Sequence, residues 1–239
     1  MRKRNYGNVF YRWNFPGRRA AQNERLAPPL LTEKRMKILL VLVLTLCSAA
    51  ALHADELAAQ VLAEVNFART APQQYAQIVA SRALGRPHRE GDRVVYETIR
   101  FLEKARPLQP LTRSEGLAAC ARGHVCDQGA VGDKGHRGTD GSSPWKRMAR
   151  FGRWSGRVAE NIAYGTRDAR GIVVALLVDD GVRDRGHRLN IFGSEFREVG
   201  IACGPHAGFG AMCVMDFAAD FAEGPGEVAQ GIRWPVLRF

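Results

Sequence analysis

The chain has 239 residues, of which 46% are hydrophobic and 25% are charged, the composition of an ordinary globular protein. Its formal net charge of +11 would suit a nucleic-acid or membrane partner, but residues 1–54 hold ten basic and only two acidic side chains. Residues 55–239 keep 25 basic and 22 acidic side chains, a net charge of +3. This balance gives no electrostatic reason to expect a nucleic-acid partner, and we predict none.

Residues 36–54 have the order of features that is typical of a secretory signal peptide. Lys37 precedes the apolar run Ile38–Leu46, and a stretch of small residues follows, with plausible cleavage after Ala51 or Ala54. The apolar run is short for a membrane span. We therefore predict a secreted, periplasmic or cell-envelope protein with no stable membrane span once the signal is removed.

The segments that flank the expected domain differ from it in composition. Residues 1–35 are basic, aromatic and proline-containing, and our hypothesis is that Met36 is the true start and that 1–35 is untranslated upstream sequence. A folded domain is expected over 55–223, followed by a tail at 224–239 that proline and glycine interrupt. N-terminal sequencing of the exported protein would test the assignment of the start.

The domain opens with helical patterns and continues with strands mixed among helices. Apolar residues at helical spacing and helix-start signals predict helices over Asp55–Arg69, Pro72–Ser81, Val94–Lys104, Ser114–Gln128, Pro144–Phe151 and Asp168–Val178. Strand-like runs occupy Arg157–Gly165, Arg197–Gly204 and Gly210–Asp220, and the last two form a predicted antiparallel hairpin. This order favours an α+β fold, including a layered α-β-α sandwich.

Four cysteines lie beyond the signal segment, an even number that permits disulfides in an exported chain. Cys203 and Cys213 lie on the two runs of the predicted hairpin, so a bridge between them is the first choice. Cys120 and Cys126 lie six residues apart on a predicted helix and would face different directions. Buried free thiols are the alternative for all four, and the absence of a Cys-x-x-Cys pair argues against zinc binding by cysteine.

Three polar motifs beside glycine or small residues carry the candidate chemistry: they contain His136, Glu160 and His187, and Asp179 and Asp180 precede the last histidine. Two imidazoles with carboxylates from separate elements are typical of a divalent-metal site, zinc above all, or of a general acid/base pair. The alternative is structural: both histidines would hydrogen-bond to the backbone, and the glutamate would pair with an arginine or a histidine to fix a loop.

Taken together, the three motifs resemble those of a known family. The segments are "GHRGTDGSSPWKRM", "AENIAYG" and "GHRLNIFGSEFREVGIAC". They are similar to motifs of the CAP superfamily (cysteine-rich secretory proteins, antigen 5 and pathogenesis-related 1), in its bacterial SCP-domain branch. The resemblance covers residues 57–221 and implies an α-β-α sandwich around a small antiparallel sheet, with a cleft.

The resemblance also implies a set of site residues. The cleft of the family carries a His, Glu, Glu, His tetrad, and His136, Glu160 and His187 match three of its members. The remaining glutamate has no counterpart here, and Asp180, with Asp179 as the alternative, stands nearest to its position. Members bind divalent cations, often zinc, at the tetrad, so the expected cofactor is zinc or another divalent cation at these residues.

Two functions from different classes follow from the resemblance. Sterol or lipid binding is described for some members and protease activity for a few. The preferred prediction is a binding or sequestration module for a small hydrophobic ligand or a component of the cell envelope. The alternative is a metal-assisted hydrolase of peptides or esters, in which Glu160 would ligate the metal or act as the general base.

Other polar and aromatic residues have structural interpretations. Asn66 and Arg69 are expected to make surface hydrogen bonds from the first helix, and His124 is expected on a helix face or in the core. Trp145 and Trp154 are expected to pack within their loop, with the lining of a hydrophobic groove as the alternative. A local cluster formed by Arg183, Arg185 and Arg188 is expected to pair with nearby acidic residues.

Overall fold

The protein is represented by a computed structural model that describes residues 53–224. The predicted start at Met36, nearly all of the predicted signal peptide and nearly all of the predicted tail lie outside the described residues. Within 53–224, no helix has both the length and the apolar character needed to cross a membrane.

Three helices open the described chain: α1 at 53–70, α2 at Pro72–Ala83 and α3 at Asp92–Lys104. The apolar positions that predict α1 are its packed face, since Val61 and Val65 are fully buried. The helical spacing of the apolar residues therefore reflects packing against the rest of the domain.

The remaining helices are α4 (Glu115–Val131), α5 (Pro144–Met148), α6 (Ala169–Val178) and α7 (Gly186–Ile191). Local sequence fixes the ends of the longer ones. The Ser114 side chain accepts a hydrogen bond from the backbone N–H of Leu117 and begins α4, while Gly132, with φ at 75°, ends it in the left-handed conformation. Asp168 begins α6 in the same way, by accepting from the N–H of Gly171.

Four strands form one mixed sheet: β1 (Thr112–Arg113), β2 (Gly152–Tyr164), β3 (Glu198–Gly204) and β4 (Met212–Glu223). Their order is β1-β3-β4-β2; β4 pairs antiparallel with β2 and β3, and β1 pairs parallel with β3. The small sheet was expected to be wholly antiparallel, and β1 is the exception. A strand of two residues is too short to produce an alternating pattern in the sequence.

Helices cover both faces of the sheet, which confirms the predicted α-β-α sandwich. One core joins α1, α2, α3 and α6 to the face that carries Val199 and Phe217. On the opposite face, Val214 and Ala218 pack beneath α4. The α4 backbone passes so close to β3 that a side chain at Gly200 would collide with it. This close approach holds α4, and the loop that follows it, against the middle of the sheet.

The hairpin of β3 and β4 carries the Cys203–Cys213 disulfide that the sequence favoured. The two residues are directly opposite each other in the antiparallel register. Cys120 is buried and Cys126 is exposed, and neither is bonded to another cysteine of residues 53–224. The bridge therefore lies within the sheet, at the end of the hairpin next to its turn.

Asn66 and Arg69 do not make surface hydrogen bonds, contrary to expectation. Asn66 bonds to both the N–H and the carbonyl of Leu111. Arg69 is buried and donates to the carbonyls of Ile191, at 2.6 Å, and Gly193, at 3.1 Å. These residues tie α1 to the start of the sheet and to the end of α7, which sequence spacing alone does not show.

Candidate functional site

His136 and Glu160, two of the predicted site residues, form a direct pair. His136 lies in the loop after α4, and its Nδ1 is 2.8 Å from Oε1 of Glu160, which lies in the middle of β2. The Glu160 side chain is 1% exposed, whereas that of His136 is 52% exposed. The buried acid therefore holds a surface imidazole in place, and the Nε2 atom of that imidazole makes no hydrogen bond within residues 53–224.

Arg147, from α5, is the second partner of the buried glutamate. Its Nη2 lies 2.5 Å from Oε2 of Glu160, and its Nη1 donates to the carbonyl of His136 at 2.9 Å. Burial alone would raise the pKa of Glu160, but the His136 hydrogen bond and the charge of Arg147 outweigh it and lower that pKa. Glu160 is therefore a carboxylate that can only accept, so His136 donates to it through Nδ1.

Two side chains of α4 hold the loop that contains His136. The buried His124, expected in the core or on a helix face, has its Nε2 3.0 Å from the carbonyl of Gly135. The Gln128 side chain donates to the carbonyl of Arg137 at 2.9 Å. These contacts on either side of His136 fix the backbone that presents it.

A second buried acid, Asp216 of β4, lies directly opposite Glu160 in the strand register. It is fully buried, and burial, followed by the charge of Glu160, raises its pKa well above the ordinary range. Burial and the neighbouring carboxylate therefore both favour the protonated form of Asp216 over its charged form. The sequence carries the same signal for both: an acid within an apolar strand, in "VAENIAYG" and in "MCVMDF".

His187 forms the other pair, with Asp179. The Nδ1 atom of His187 lies 2.6 Å from Oδ1 of Asp179, and the Oδ2 atom accepts from the backbone N–H of His187 at 2.9 Å and of Arg188 at 3.3 Å. Asp179 follows the last residue of α6 in the left-handed conformation, with φ at 56°. That conformation directs the carboxylate across the turn to the start of α7.

Asp180, the first choice for the remaining tetrad position, lies outside this pair. Its carboxylate accepts from the backbone N–H of Arg89 at 2.6 Å and of Glu90 at 3.0 Å, which are in the loop before α3. The structure places the alternative, Asp179, beside His187 instead. Two consecutive residues at a helix end point in different directions, and sequence position did not distinguish them.

No side-chain hydrogen bond or ion pair within residues 53–224 joins the two histidine pairs. Glu160 faces α5, while the next residue, Asn161, faces the other side of β2 and donates to the carbonyl of His187 at 3.0 Å. Among residues 53–224, no group of three or more His, Cys, Asp or Glu side chains is arranged to hold a metal ion. A zinc site with three protein ligands does not fit this arrangement, and zinc binding by His136, Glu160, His187 and an aspartate stays a prediction.

Two tryptophans stand on the surface close to this site. Trp145, in α5, is 52% exposed, and Trp154, in β2, is 36% exposed. The indole N–H of Trp154 donates to the carbonyl of Trp145 at 3.3 Å. The predicted packing within the loop is therefore partial, because both rings keep a face in solvent.

A cavity with a mainly apolar lining lies elsewhere, beside the disulfide. It encloses about 320 Å³ and is lined by residues of α1, of the β2–α6 connection and of the β3–β4 hairpin, among them Leu57, Arg167, Pro205, Ala211 and Met212. None of the four predicted tetrad residues lines it. The polar site and the apolar cavity are thus two different places on the domain.

Comparison with known proteins places these observations in a family. Residues 62–217 match the model of the CAP family, described as the cysteine-rich secretory protein family. No curated protein matches the sequence as a relative.

Similar solved structures come from three bacteria. An outer surface protein from Borrelia burgdorferi shares 18% identity at a TM-score of 0.41, over 54% of this chain and 92% of that one. An extracellular protein containing an SCP domain from Bacillus anthracis shares 19% identity at a TM-score of 0.38, and the match covers 53% of this chain and 39% of that one. A cysteine-rich secretory protein from Staphylococcus aureus shares 15% identity at a TM-score of 0.37, and the match covers 56% of this chain and 41% of that one. The chain thus spans less than half the length of the last two.

The family match rests on the part of the chain that forms the sandwich and both histidine pairs. It runs from α1 into β4 and covers more than half of the 239 residues. The motifs around His136, Glu160 and His187 all lie within it. The protein therefore belongs to the CAP family of cysteine-rich secretory proteins.

Proposed function

We propose that this protein is an exported binding module whose ligand is a small amphiphile with an apolar body and an anionic end. The observation that carries the proposal is the cavity of about 320 Å³ beside the disulfide. Its volume is at the lower end of the range for small-molecule sites, and carbon-rich side chains dominate its lining. An apolar ligand that binds in such a cavity is stabilised, because binding removes apolar surface of both ligand and cavity from water.

The cavity has a charged rim as well as an apolar wall. Leu57 of α1 and Met212 of β4 contribute apolar surface, and Arg167 contributes a guanidinium. Among the described residues 53–224, the guanidinium makes one long contact, 3.3 Å to the carbonyl of Gly210, and so keeps donors for a ligand. A carboxylate or phosphate at the end of an alkyl chain matches this combination.

The polar site does not favour hydrolysis with Glu160 as the general base. A general base needs a free oxygen within reach of water, but both oxygens of Glu160 already accept from His136 and Arg147, and the side chain is buried. Glu160 acts here as a support for His136. A metal-assisted hydrolase in which Glu160 ligates the metal or acts as the base would first have to break this ion pair.

Export is part of the proposal and rests on the signal-peptide pattern of residues 36–54. The site of cleavage also affects the cavity, because His53 and Ala54 are among its lining residues. Cleavage after Ala51 would keep both, whereas cleavage after Ala54 would remove them. Mass spectrometry of the secreted protein would distinguish the two outcomes.

The test is calorimetric titration of the full chain with decanoate and, in a second arm, with decanol. We expect saturable binding of decanoate and weaker binding of decanol, which lacks the negative charge. Ala211→Phe fills the cavity from its half-buried rim and is expected to abolish binding, while Arg167→Gln is expected to weaken decanoate and leave decanol unchanged.

The matched control is Arg153→Gln, which removes an exposed arginine from β2, away from the cavity lining. It should bind decanoate like the unmodified protein, and circular dichroism should show each variant folded. Absence of saturable binding, or full binding by Ala211→Phe, would overturn the proposal.

A further inference from the structure

We infer that the groove between α3 and the α6–α7 connection is a second binding site, which takes a compact phosphate-bearing anion. The groove measures about 680 Å³. Four arginines and two glutamates line it together with Gly181: Glu90, Arg93, Glu97, Arg100, Arg183 and Arg185. It shares no lining residue with the apolar cavity, so the inference does not depend on the proposed amphiphile.

Both glutamates of the groove are already committed to one arginine. Arg185 bonds to both oxygens of Glu90, at 2.7 and 2.8 Å, and to both oxygens of Glu97, at 3.1 and 3.0 Å. The buried Arg188 adds a bond to Glu97 at 2.8 Å from behind. These contacts bear out the expected pairing of arginines with acids for two members of the cluster.

The same arginine makes the groove wall rigid. Arg185 precedes α7 in the left-handed conformation, with φ at 52°, which is uncommon for a residue with a side chain. Its Nη1 also donates to the carbonyls of Asp179, at 3.0 Å, and Val182, at 2.8 Å. The loop that carries Arg183 is therefore held in one conformation before any ligand arrives.

The other arginines keep their donors free. Arg100 and Arg183 make no side-chain hydrogen bond or ion pair with any residue of 53–224, and Arg93 makes one long contact of 3.4 Å to Glu90. All three are exposed. With Glu90 and Glu97 offset by Arg185 and Arg188, their positive charges face the groove from α3 on one side and from the loop on the other.

Phosphate chemistry fits this arrangement. A guanidinium presents a planar fork of N–H donors that matches two phosphate oxygens, and several arginines around one groove favour an anion with more than one negative oxygen. The domain beyond residue 54 has a net charge of only +3, so a general excess of basic residues does not explain the cluster. A diphosphate, free or as part of a larger molecule, is the simplest ligand of this kind.

The test is calorimetric titration of the full chain with inorganic pyrophosphate at low salt. We expect saturable binding that weakens as salt is added, because the contacts are solvent-exposed. Arg100→Gln/Arg183→Gln should weaken binding by about tenfold or more, the loss expected when two exposed charged contacts are removed. The single variant Arg183→Gln should lose part of this pyrophosphate affinity, and it replaces the double variant in the test if the double variant fails to fold.

The matched control is Arg86→Gln/Arg106→Gln, which removes two exposed arginines that do not line the groove. A third arm uses vesicles with and without an anionic phospholipid, to learn whether a lipid headgroup can supply the phosphate. The inference is overturned if the unmodified chain shows no saturable pyrophosphate binding, or if the control variant loses as much affinity as the groove variant.

Discussion

The domain contains two histidines that are held in the same way by different surroundings. In each, Nδ1 bonds to a carboxylate: Glu160 for His136 and Asp179 for His187. Glu160 is buried in a strand and balanced by a second side chain, Arg147. Asp179 ends a helix and is balanced by backbone N–H groups.

The partners of the two carboxylates determine what keeps each histidine in position. The first pair belongs to a buried ionic cluster, where removing one charge leaves another without a partner. The second pair belongs to a turn, where an equally buried carboxylate is satisfied by backbone N–H groups and not by a charged side chain other than the histidine. We therefore expect the two sites to respond differently to substitution, acid and metal, and the following predictions test this expectation in order of decreasing effect.

The largest effect is expected for Arg147→Met, which keeps most of the side-chain volume and removes the charge. The substitution leaves the buried Glu160 carboxylate without its arginine partner, and we expect a loss of about 3–5 kcal/mol in the free energy of unfolding. Chemical denaturation would measure it. Arg150→Met is the matched control, because Arg150 pairs with Asp140 at an exposed site and should cost less than about 1 kcal/mol. Equal losses in the two variants would contradict the buried-cluster interpretation.

A moderate effect is expected for Asp179→Ala. The substitution removes the acceptor for two backbone N–H groups and for His187, and it places alanine in the left-handed conformation, so we expect a loss of about 2 kcal/mol. Asp179→Asn should recover part of it, because asparagine tolerates that conformation and keeps one acceptor. Asp184→Ala removes a weaker cap at 3.3 Å and serves as the control in thermal denaturation. No recovery in Asp179→Asn would argue against a role in the turn.

A smaller effect is expected from acid acting on the ion pair between Glu97 of α3 and Arg185, which lies next to the turn of Asp179 and His187. The hydrogen bond from Arg185 lowers the pKa of Glu97 from 4.5 to about 2. Because the folded-state pKa is the lower one, the stabilisation is fully present above about pH 4.5 and is lost as the pH falls toward 2. Glu97→Gln should flatten the dependence of stability on pH in that window. Glu103→Gln, at the exposed end of α3, should leave it unchanged, and an equal flattening would contradict the assignment.

The smallest effect is expected from zinc. The two histidines lie in separate pairs, and no group of three ligands is arranged for a metal within residues 53–224. Calorimetric titration with zinc should therefore give the same weak heat for the unmodified chain and for His136→Ala/His187→Ala. A high-affinity site that the double variant loses would show that the two pairs come together around the ion, and would support the metal prediction from the sequence.

Much of the candidate site could be predicted from the sequence, because the pairing of acid and histidine follows from the cost of burying a charge. An acid in the apolar run "VAENIAYG" required a partner. The family motif supplied His136, and the same motif contained Arg147, whose side chain forms the second ion pair. Periodicity predicted the helices for the same kind of reason, because apolar spacing reports which face is packed.

Other contacts depend on geometry that spacing does not encode. The backbone conformation at the end of α6 directs Asp179, and not Asp180, to His187. The bonds of Arg69 to carbonyls more than 120 residues away have no local signature. The groove arises because Arg185 pairs with Glu97 of α3 and with Glu90 of the loop before it. Arg100 and Arg183 remain unpaired within the described residues.

The sequence by itself therefore determined the fold class and the family, since these follow from apolar periodicity and local motifs, and it predicted the acid and histidine residues of the candidate site. The tertiary structure decided which carboxylate holds which histidine, and it formed an apolar cavity and an arginine groove whose lining residues are not those of the two pairs. The physical reason is that burial, ion pairing and charge balance are set by residues far apart in the chain, and only the folded packing brings them together.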